Sequence, residues 1–304
     1  MLYDVRLALR RLRLVPAFTI FAVLSLALGI GVSTAIYSAV RTLLWMPLGI
    51  ASPDELVIIH PPRGYPSMSW LDFQDYRAAQ RTERAVAASL LIRTALRSGT
   101  VSQTVFGGAV SGEYFSVMGL RPLLGRLLDG RDETSASRVA VLSESFWRVR
   151  LHGDPAVVGQ TIVLGGVAFE VVGVTAGTFH GLELVLPHSI WIPVTSMPPD
   201  PRAFGVPADT MTERRAVRFD AWARLRPNAT MAQAGAEASI LSRRLDAVYP
   251  PRDHSTRSTP RAWEADAHGL DRRRGTEGIR TIVTAILVAV GVVLLIACTN
   301  LANL

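Results

Sequence analysis

The sequence predicts an α+β domain inserted between two transmembrane α-helices. Phe18–Val40 contains no charged residue, and neither does Thr281–Leu304. An α-helix rises about 1.5 Å per residue and a bilayer core is about 30 Å thick, so each stretch is long enough to cross a membrane. The residues between them mix strand-like and helical patterns and have the composition of a folded domain. We therefore predict transmembrane helices at 17–41 and 280–304 and a core domain at 46–278, built as one domain or as two subdomains.

The N-terminal residues 1–15 predict a cytoplasmic amphipathic helix at the membrane surface. Arg6, Arg10 and Arg13 share one face of this helix and an apolar face lies opposite, an arrangement that directs arginines toward anionic headgroups. Four arginines against one aspartate precede the first uncharged stretch, which places the N-terminus in the cytoplasm by the positive-inside rule. The core domain is then expected outside the cytoplasm.

A cleaved signal peptide is the alternative to an anchor, and one feature opposes this topology. Arg10-Arg11 fits a twin-arginine signal that is later cleaved, but the apolar stretch is longer than the roughly 7–15 residues of a signal h-region, which favours an uncleaved anchor. Asp271–Arg274 puts three arginines on the outer side of the second span. Long translocated domains largely escape the charge rule, so the topology is retained.

Small residues recur every fourth position in the first predicted span, at Ala27, Gly31, Ala35 and Ala39. Such a ridge lets helix backbones approach closely in lipid, so we predict that this face packs on another helix. Replacing Gly31 with leucine should therefore weaken association of the span in a membrane two-hybrid assay. Unchanged association would contradict a packing role for the ridge.

Local signals in the core domain predict its strands and helices. Ser69 followed by Asp72 has capping-box spacing, and Gly165-Gly166 between two β-rich runs indicates a hairpin. The Pro-rich stretch 197–207 predicts a loop. Predicted strands are 56–59, 90–97, 100–110, 139–142, 161–164, 168–174 and 219–225, and predicted helices run from Ser69 to about Ala88, over 144–151 after Ser143, and from Thr230 to Val248 with Leu241, Leu245 and Val248 on one face.

Composition excludes several classes of function. The net charge is +7, yet every basic residue is arginine, which is more typical of genomic codon bias than of selected phosphate binding. No basic run alternates with aromatics as a nucleic-acid groove requires, so no nucleic-acid partner is expected. Cys298 is the only cysteine, which rules out an intramolecular disulfide and a cysteine-based zinc site.

No pattern of catalytic residues stands out. His180 and His188 bracket Glu183 and could suggest a metal site, but in a Gly- and Pro-bounded stretch they are more typical of ordinary loop residues. Motifs for a zinc protease, a serine-hydrolase elbow and an ATP-binding P-loop are missing from the sequence. We therefore predict no catalytic residue, no cofactor and no metal site, and a protein that is not an enzyme.

The motifs nevertheless resemble one family along nearly the whole chain and in the same order. The resemblance is to MacB-like permeases of the FtsX superfamily of ABC transporters, and within them to the group called acidobacterial duplicated orphan permeases. It is carried by DVRLALRRLRLVPAFTIFAVLSLALGIGVSTAIYSAVRTLLWMPL from Asp4, VSGEYFSVMGLRPLLGR from Val110, VAVLSESFWRVRLHGDPAVVGQTIVLGGVAFEVVGV from Val139, ARLRPNATMAQAGAE from Ala223, and VVLLIACTNLANL from Val292.

The resemblance implies an α+β periplasmic core domain between the first two helices of a four-helix, multi-pass permease in the bacterial inner membrane. Permeases of this kind form a homodimer or pair with a second permease half, and a separate cytoplasmic ABC ATPase moves their periplasmic domains in export by mechanotransmission. Relatives continue with a basic cytoplasmic segment that contacts the ATPase, so an N-terminal fragment unable to couple to ATP hydrolysis is expected here.

Two other classes of function make different predictions. A membrane-tethered periplasmic binding or sensor module would show a specific ligand or partner bound by the core domain. An anchored periplasmic hydrolase would need a nucleophile with a base, and the sequence offers no such pair.

Overall fold

The computed structural model describes most of the core domain and single residues of two helical stretches. The described ranges are 49–61, 68–99, 101–177, 179–182, 186–250 and 261–266, with scattered positions in 16–38 and 281–299. The chain divides into two compact units, Met1–Met46 with Gly275–Leu304 and Pro47–Arg274.

Most of the predicted membrane-associated residues lie outside this described part. They include the surface helix 1–15 with Arg6, Arg10 and Arg13, and Ala39 of the small-residue ridge. Among the described residues, no helix combines the length and apolar character that crossing a bilayer requires.

Ten strands of the described core domain form one mixed sheet. They are β1 Leu56–His60, β2 Glu83–Ser98, β3 Val101–Val110, β4 Pro122–Gly125, β5 Val139–Leu142, β6 Thr161–Leu164, β7 Val167–Thr175, β8 Ile190–Pro193, β9 Asp220–Leu225 and β10 Glu264–Asp266. The order across the sheet is β10-β1-β9-β2-β3-β8-β5-β7-β4, and β6 pairs with both β2 and β7. The β3–β8 and β5–β7 pairs are parallel and the other pairs are antiparallel.

Five α-helices are interspersed with these strands in the described residues. They are α1 Trp70–Ala79, α2 Tyr114–Met118, α3 Gly130–Thr134, α4 Glu144–Arg150 and α5 Met231–Val248. The predicted mixture of α and β elements is therefore confirmed.

The predicted helix caps and the predicted hairpin turn are present in the structure. Ser69, Ser143 and Thr230 each cap a helix, accepting a hydrogen bond from the backbone N–H three residues later. Gly165 and Gly166 join β6 to β7 with φ angles of +55° and +87°, a backbone that glycine adopts without strain.

Both faces of the sheet are buried in its central part, and strand alternation divides the core in two. Val57 and Ile59 of β1 point into the cluster covered by α1 and α5, whereas Leu56 and Ile58 point into the cluster covered by α2. Successive residues of a strand point to opposite faces of the sheet. Because both faces are covered here, apolar residues are favoured at successive positions, which explains the continuous LVII run of β1.

The structure corrects three sequence-based expectations. The first helix ends at Ala79 instead of near Ala88, because β2 already begins at Glu83 and pairs with β9. Val248 was expected on the buried face of α5 but is 60% exposed, since it lies at the helix end. The stretch 197–207, predicted as a loop, contains a 3₁₀ turn at Pro201–Phe204.

Candidate functional site: the attachment of the core domain to its flanking segments

The chain enters and leaves the core-domain sheet on neighbouring strands. β1 and β10 pair antiparallel, with Ile58 facing Asp266 and His60 facing Glu264. β10 therefore ends at the same end of the sheet at which β1 begins. The residues that lead into β1, here called the incoming segment (49–55), and β10 together with the three residues before it, here called the outgoing segment (261–266), form the candidate site.

The incoming segment is held by one buried arginine of β9. Arg224 is 5% exposed, and its Nε donates to the carbonyl of Val117 at 2.5 Å while its Nη2 donates to the carbonyl of Ala51. Its Nη1 lies 3.2 Å from the carbonyl oxygen of Ser52 and 3.1 Å from Oε2 of Glu55. Burial lowers the pKa of Arg224, and the contact with the Glu55 carboxylate partly offsets this.

Close backbone packing supports the same attachment. The N–H of Ala51 donates to the carbonyl of Met118 at 3.2 Å. Gly119, with φ +67°, lies so near that a Cβ there would come within 2.6 Å of the Ala51 side chain. Ser52 also has a left-handed backbone, with φ +43°, which an L-residue adopts at a cost of about 1–2 kcal/mol. The incoming segment thus follows one defined path across α2.

The outgoing segment begins at a second buried arginine. Arg261 is 4% exposed and donates from Nε and Nη2 to the two carboxylate oxygens of Asp72, each at 3.1 Å. Its backbone N–H and Nη1 donate to the Asp246 carboxylate at 2.9 and 2.5 Å, and Nη1 lies 3.1 Å from the carbonyl oxygen of Tyr249. Arg261 therefore joins the outgoing segment to both α1 and α5.

The carboxylate of Asp72 accepts hydrogen bonds from two arginines. Its side chain has no exposed surface, and besides Arg261 it accepts from Nη1 of Arg214 at 2.9 Å. Arg214 also pairs with Asp75 at 2.7 Å and stacks its guanidinium 3.7 Å from the ring centroid of Tyr249. Burial acts to lower the pKa of Arg214, but the two aspartates leave it raised.

Trp263 anchors the outgoing segment in the apolar core. It is 1% exposed, and its ring meets that of Tyr76 edge-on at 5.6 Å. Tyr76 in turn donates to the buried carboxyl of Glu83 at 2.9 Å. Burial, with repulsion from Glu237, raises the pKa of Glu83 against the lowering effect of the tyrosine hydrogen bond.

The docked conformation of this segment also carries unfavourable contributions. Ala262, between Arg261 and Trp263, has φ +42°, which costs an L-residue about 1–2 kcal/mol. The Nε1 of Trp263 is buried without a hydrogen-bond acceptor among the described residues, a cost of about 1–3 kcal/mol. Ion pairing and tryptophan burial must offset both.

The small-residue ridge belongs to the other compact unit. Ala27, Gly31 and Ala35 are helical and exposed in the described structure. A Cβ at Gly31 would meet no described atom within 4 Å. The structure does not test the predicted helix packing, which stays a prediction.

His180 and His188, which bracket Glu183 in the sequence, are joined by a backbone hydrogen bond in the core domain. His188 is 3% exposed, and its N–H donates to the carbonyl of His180 at 2.7 Å. Burial lowers the pKa of His180, whose Nδ1 lies 3.3 Å from Oγ of Ser145. Glu183 is outside the described residues, and among those described no three His, Cys, Asp or Glu side chains are grouped to hold a metal.

Sequence reasoning missed the residues that build the attachment site. Ser69 and Asp72 were recognised as a capping pair, but the Asp72 side chain faces two distant arginines. Arg224 interrupts the apolar strand DAWARL, and a charge at a buried strand position is the one signal that could have identified it.

The fold is an α+β core domain whose first and last described strands pair with each other. The chain belongs to the MacB-like periplasmic core domain family, which it matches over residues 19–240. Members of this family are components of transporter permeases rather than classical enzymes.

Individual relatives agree with the family assignment. The chain is 32% identical over 114 residues to the macrolide export ATP-binding/permease protein MacB 1 of Aeromonas hydrophila, a match that covers 37% of this chain and 17% of that protein. Its fold is similar to the periplasmic region of MacB from Actinobacillus actinomycetemcomitans, with a TM-score of 0.52, 16% identity and coverage of 74% and 93% of the two chains. It is also similar to the extracellular domain of the noncanonic ABC-type transporter YknZ from Gram-positive bacteria, with a TM-score of 0.50, 16% identity and coverage of 69% and 99%.

Proposed function

We propose that this chain is a permease component of an ABC-type export system whose periplasmic core domain is moved by a separate cytoplasmic ATPase. The observation that carries the proposal is the pairing of β1 with β10, which brings the start of β1 and the end of β10 to the same end of the sheet. A displacement of two flanking helices would then reach the domain at a single place. Mechanotransmission requires such an attachment.

The flanking segments support a membrane location. Within the two helical stretches, described apolar side chains are largely exposed, including Ile20 at 57%, Ile30 at 54%, Val288 at 60% and Leu295 at 69%. Exposed apolar residues on long uncharged helices are expected where lipid or another apolar helix covers them. We propose two transmembrane helices at 17–41 and 280–304, a cytoplasmic N-terminus in the bacterial inner membrane, and the Ala27–Ala39 ridge as a face for a second permease copy or half.

Buried arginines make the attachment stiff enough for this role. Arg224 ties the incoming segment to α2 and Arg261 ties the outgoing segment to α1 and α5. Both guanidinium groups are buried and hydrogen-bonded in a fixed geometry, so each segment delivers a pull to the sheet and its helices for as long as it stays docked. A flexible hinge of exposed glycines would instead bend under the same force and transmit less of it to the domain.

The test uses the protein as its gene encodes it, including any continuation beyond residue 304, in its native membrane and with one added cysteine. A Glu264→Cys, Cys298→Ser variant is labelled in spheroplasts with a membrane-impermeant, environment-sensitive fluorophore, and inverted vesicles are then supplied with Mg-ATP. We expect labelling from outside and an ATP-dependent fluorescence change that vanadate abolishes. Arg6→Cys in the same background should resist the impermeant reagent.

Two outcomes would contradict the proposal. Labelling of Arg6→Cys from outside would overturn the topology. Correct sidedness with no response to ATP would instead favour a tethered binding or sensor module, for which ligand-induced stabilisation of the full chain becomes the relevant measurement.

A further inference from the structure

The two attachments differ in how deeply they are built into the sheet. β1 lies between β9 and β10, and all five of its residues are buried. β10 has three residues at the edge of the sheet and pairs only with β1 among the described strands. Removing β10 would leave the β1–β9 ladder from Leu56 to Ile59 complete.

The chemistry that holds the two segments differs as well. Arg224 binds mainly backbone carbonyls, those of Ala51 and Ser52 in the incoming segment and that of Val117 in α2. A backbone acceptor does not depend on which side chain its residue carries. Arg261 binds two carboxylates from two different helices, Asp72 of α1 and Asp246 of α5. Its attachment therefore depends on those helices keeping their spacing.

Two unfavourable contributions to the docked state of the outgoing segment would be removed by its release. Releasing it relieves the left-handed backbone of Ala262 and gives the buried indole N–H of Trp263 access to water. It would also uncover Tyr76, which already lines a groove of about 280 Å³ between α1 and α5 together with Leu241, Leu245 and Tyr249. The departure of Trp263 would extend this groove into the core.

We propose that residues 261–266 are a detachable segment: displacement of the chain beyond it separates β10 from β1 and withdraws Trp263 while the incoming segment stays docked, and Arg261 sets the resistance to that release. The inference rests on the proposed function only for the source of the displacement. Detachment itself is a property of the core domain and is measured without ATP or an ATPase.

The experiment compares backbone hydrogen exchange in the full chain, purified in detergent, for the wild type and Asp246→Asn. This substitution weakens the hold on Arg261 but leaves its pair with Asp72. We expect amides of 264–266 and those of β1 that face β10 to exchange about tenfold faster or more, with 221–224 of β9 unchanged. Asp200→Asn is the matched control, since Asp200 is 64% exposed and its pair with Arg202 at 3.6 Å is superficial.

A covalent lock separates detachment from general loosening. Because His60 and Glu264 face each other across the β1–β10 pair, His60→Cys with Glu264→Cys in a Cys298→Ser background should allow a disulfide. Oxidation should return exchange in Asp246→Asn to the level of the locked parent, and reduction should release it again. Exchange that rises equally in β9, that is unchanged by Asp246→Asn, or that stays fast after the lock has formed would overturn the proposal.

Discussion

Replacing Arg224 with methionine should lower the free energy of unfolding of the core domain by about 3–5 kcal/mol, since three carbonyl groups lose a donor and a buried polar group left unsatisfied costs about 1–3 kcal/mol. Methionine preserves much of the side-chain volume, so the loss would come from the carbonyl groups of Ala51, Ser52 and Val117, which lose their donors. The measurement is urea denaturation of the full chain in lipid nanodiscs, followed by tryptophan fluorescence. Backbone hydrogen exchange should locate the accompanying local loss at residues 51–56.

Two controls distinguish the carbonyl contacts from the ion pair. Glu55 is 69% exposed, so Glu55→Ala should cost less than about 1 kcal/mol. Arg148→Met removes an exposed arginine paired with Glu144 one turn away and should cost about 0.5 kcal/mol or less. If Glu55→Ala were as damaging as Arg224→Met, the exposed carboxylate rather than the backbone would hold the incoming segment.

Replacing Asp72 with alanine is the second change for which we expect a loss of about 3–5 kcal/mol. The substitution leaves the buried Arg261 and the half-buried Arg214 without the carboxylate they share. The Asp72 backbone N–H still donates to Ser69, so the helix cap is retained and does not contribute to the loss. Denaturation of the full chain in nanodiscs again provides the measurement.

A double-mutant cycle tests whether the carboxylate and the arginine act as one unit. Asp72→Ala combined with Arg261→Met should destabilise the domain by clearly less than the sum of the two single changes, because each already breaks the same contact. Asp200→Ala, which removes a largely exposed carboxylate, should stay within about 0.5 kcal/mol of wild type. Strictly additive losses would show that Asp72 and Arg261 stabilise the domain independently.

These two substitutions bear on different ends of the proposed mechanical linkage. Arg224→Met affects the incoming segment, and Asp72→Ala affects the cluster that holds the outgoing segment. Asp246→Asn is milder because Asp72 keeps its hold on Arg261. Arg224→Met and Asp72→Ala should therefore impair the attachment that the proposed function requires.

The sequence alone determined those features whose physical causes lie within a few residues. Ser143 and Thr230 cap helices because a hydroxyl can reach the backbone N–H three residues later. The Gly165-Gly166 hairpin forms because glycine tolerates two consecutive positive φ angles. The uncharged lengths of 18–40 and 281–304 set the membrane prediction by hydrophobicity alone, and the order of motifs identified the family.

The tertiary structure decided what depends on distant partners. Ala85–Ala88 has good helix formers, yet the segment is strand because Val86 and Ala88 pair with Ala223 and Ala221 of β9 inside a sheet buried on both faces. Asp72 and Arg261 are 189 positions apart, and Arg224 and Val117 are 107 apart. The sequence does not indicate which carboxylate or carbonyl an arginine will contact. That partner is determined by the packing of strands and helices that are distant in sequence and meet only in the folded chain.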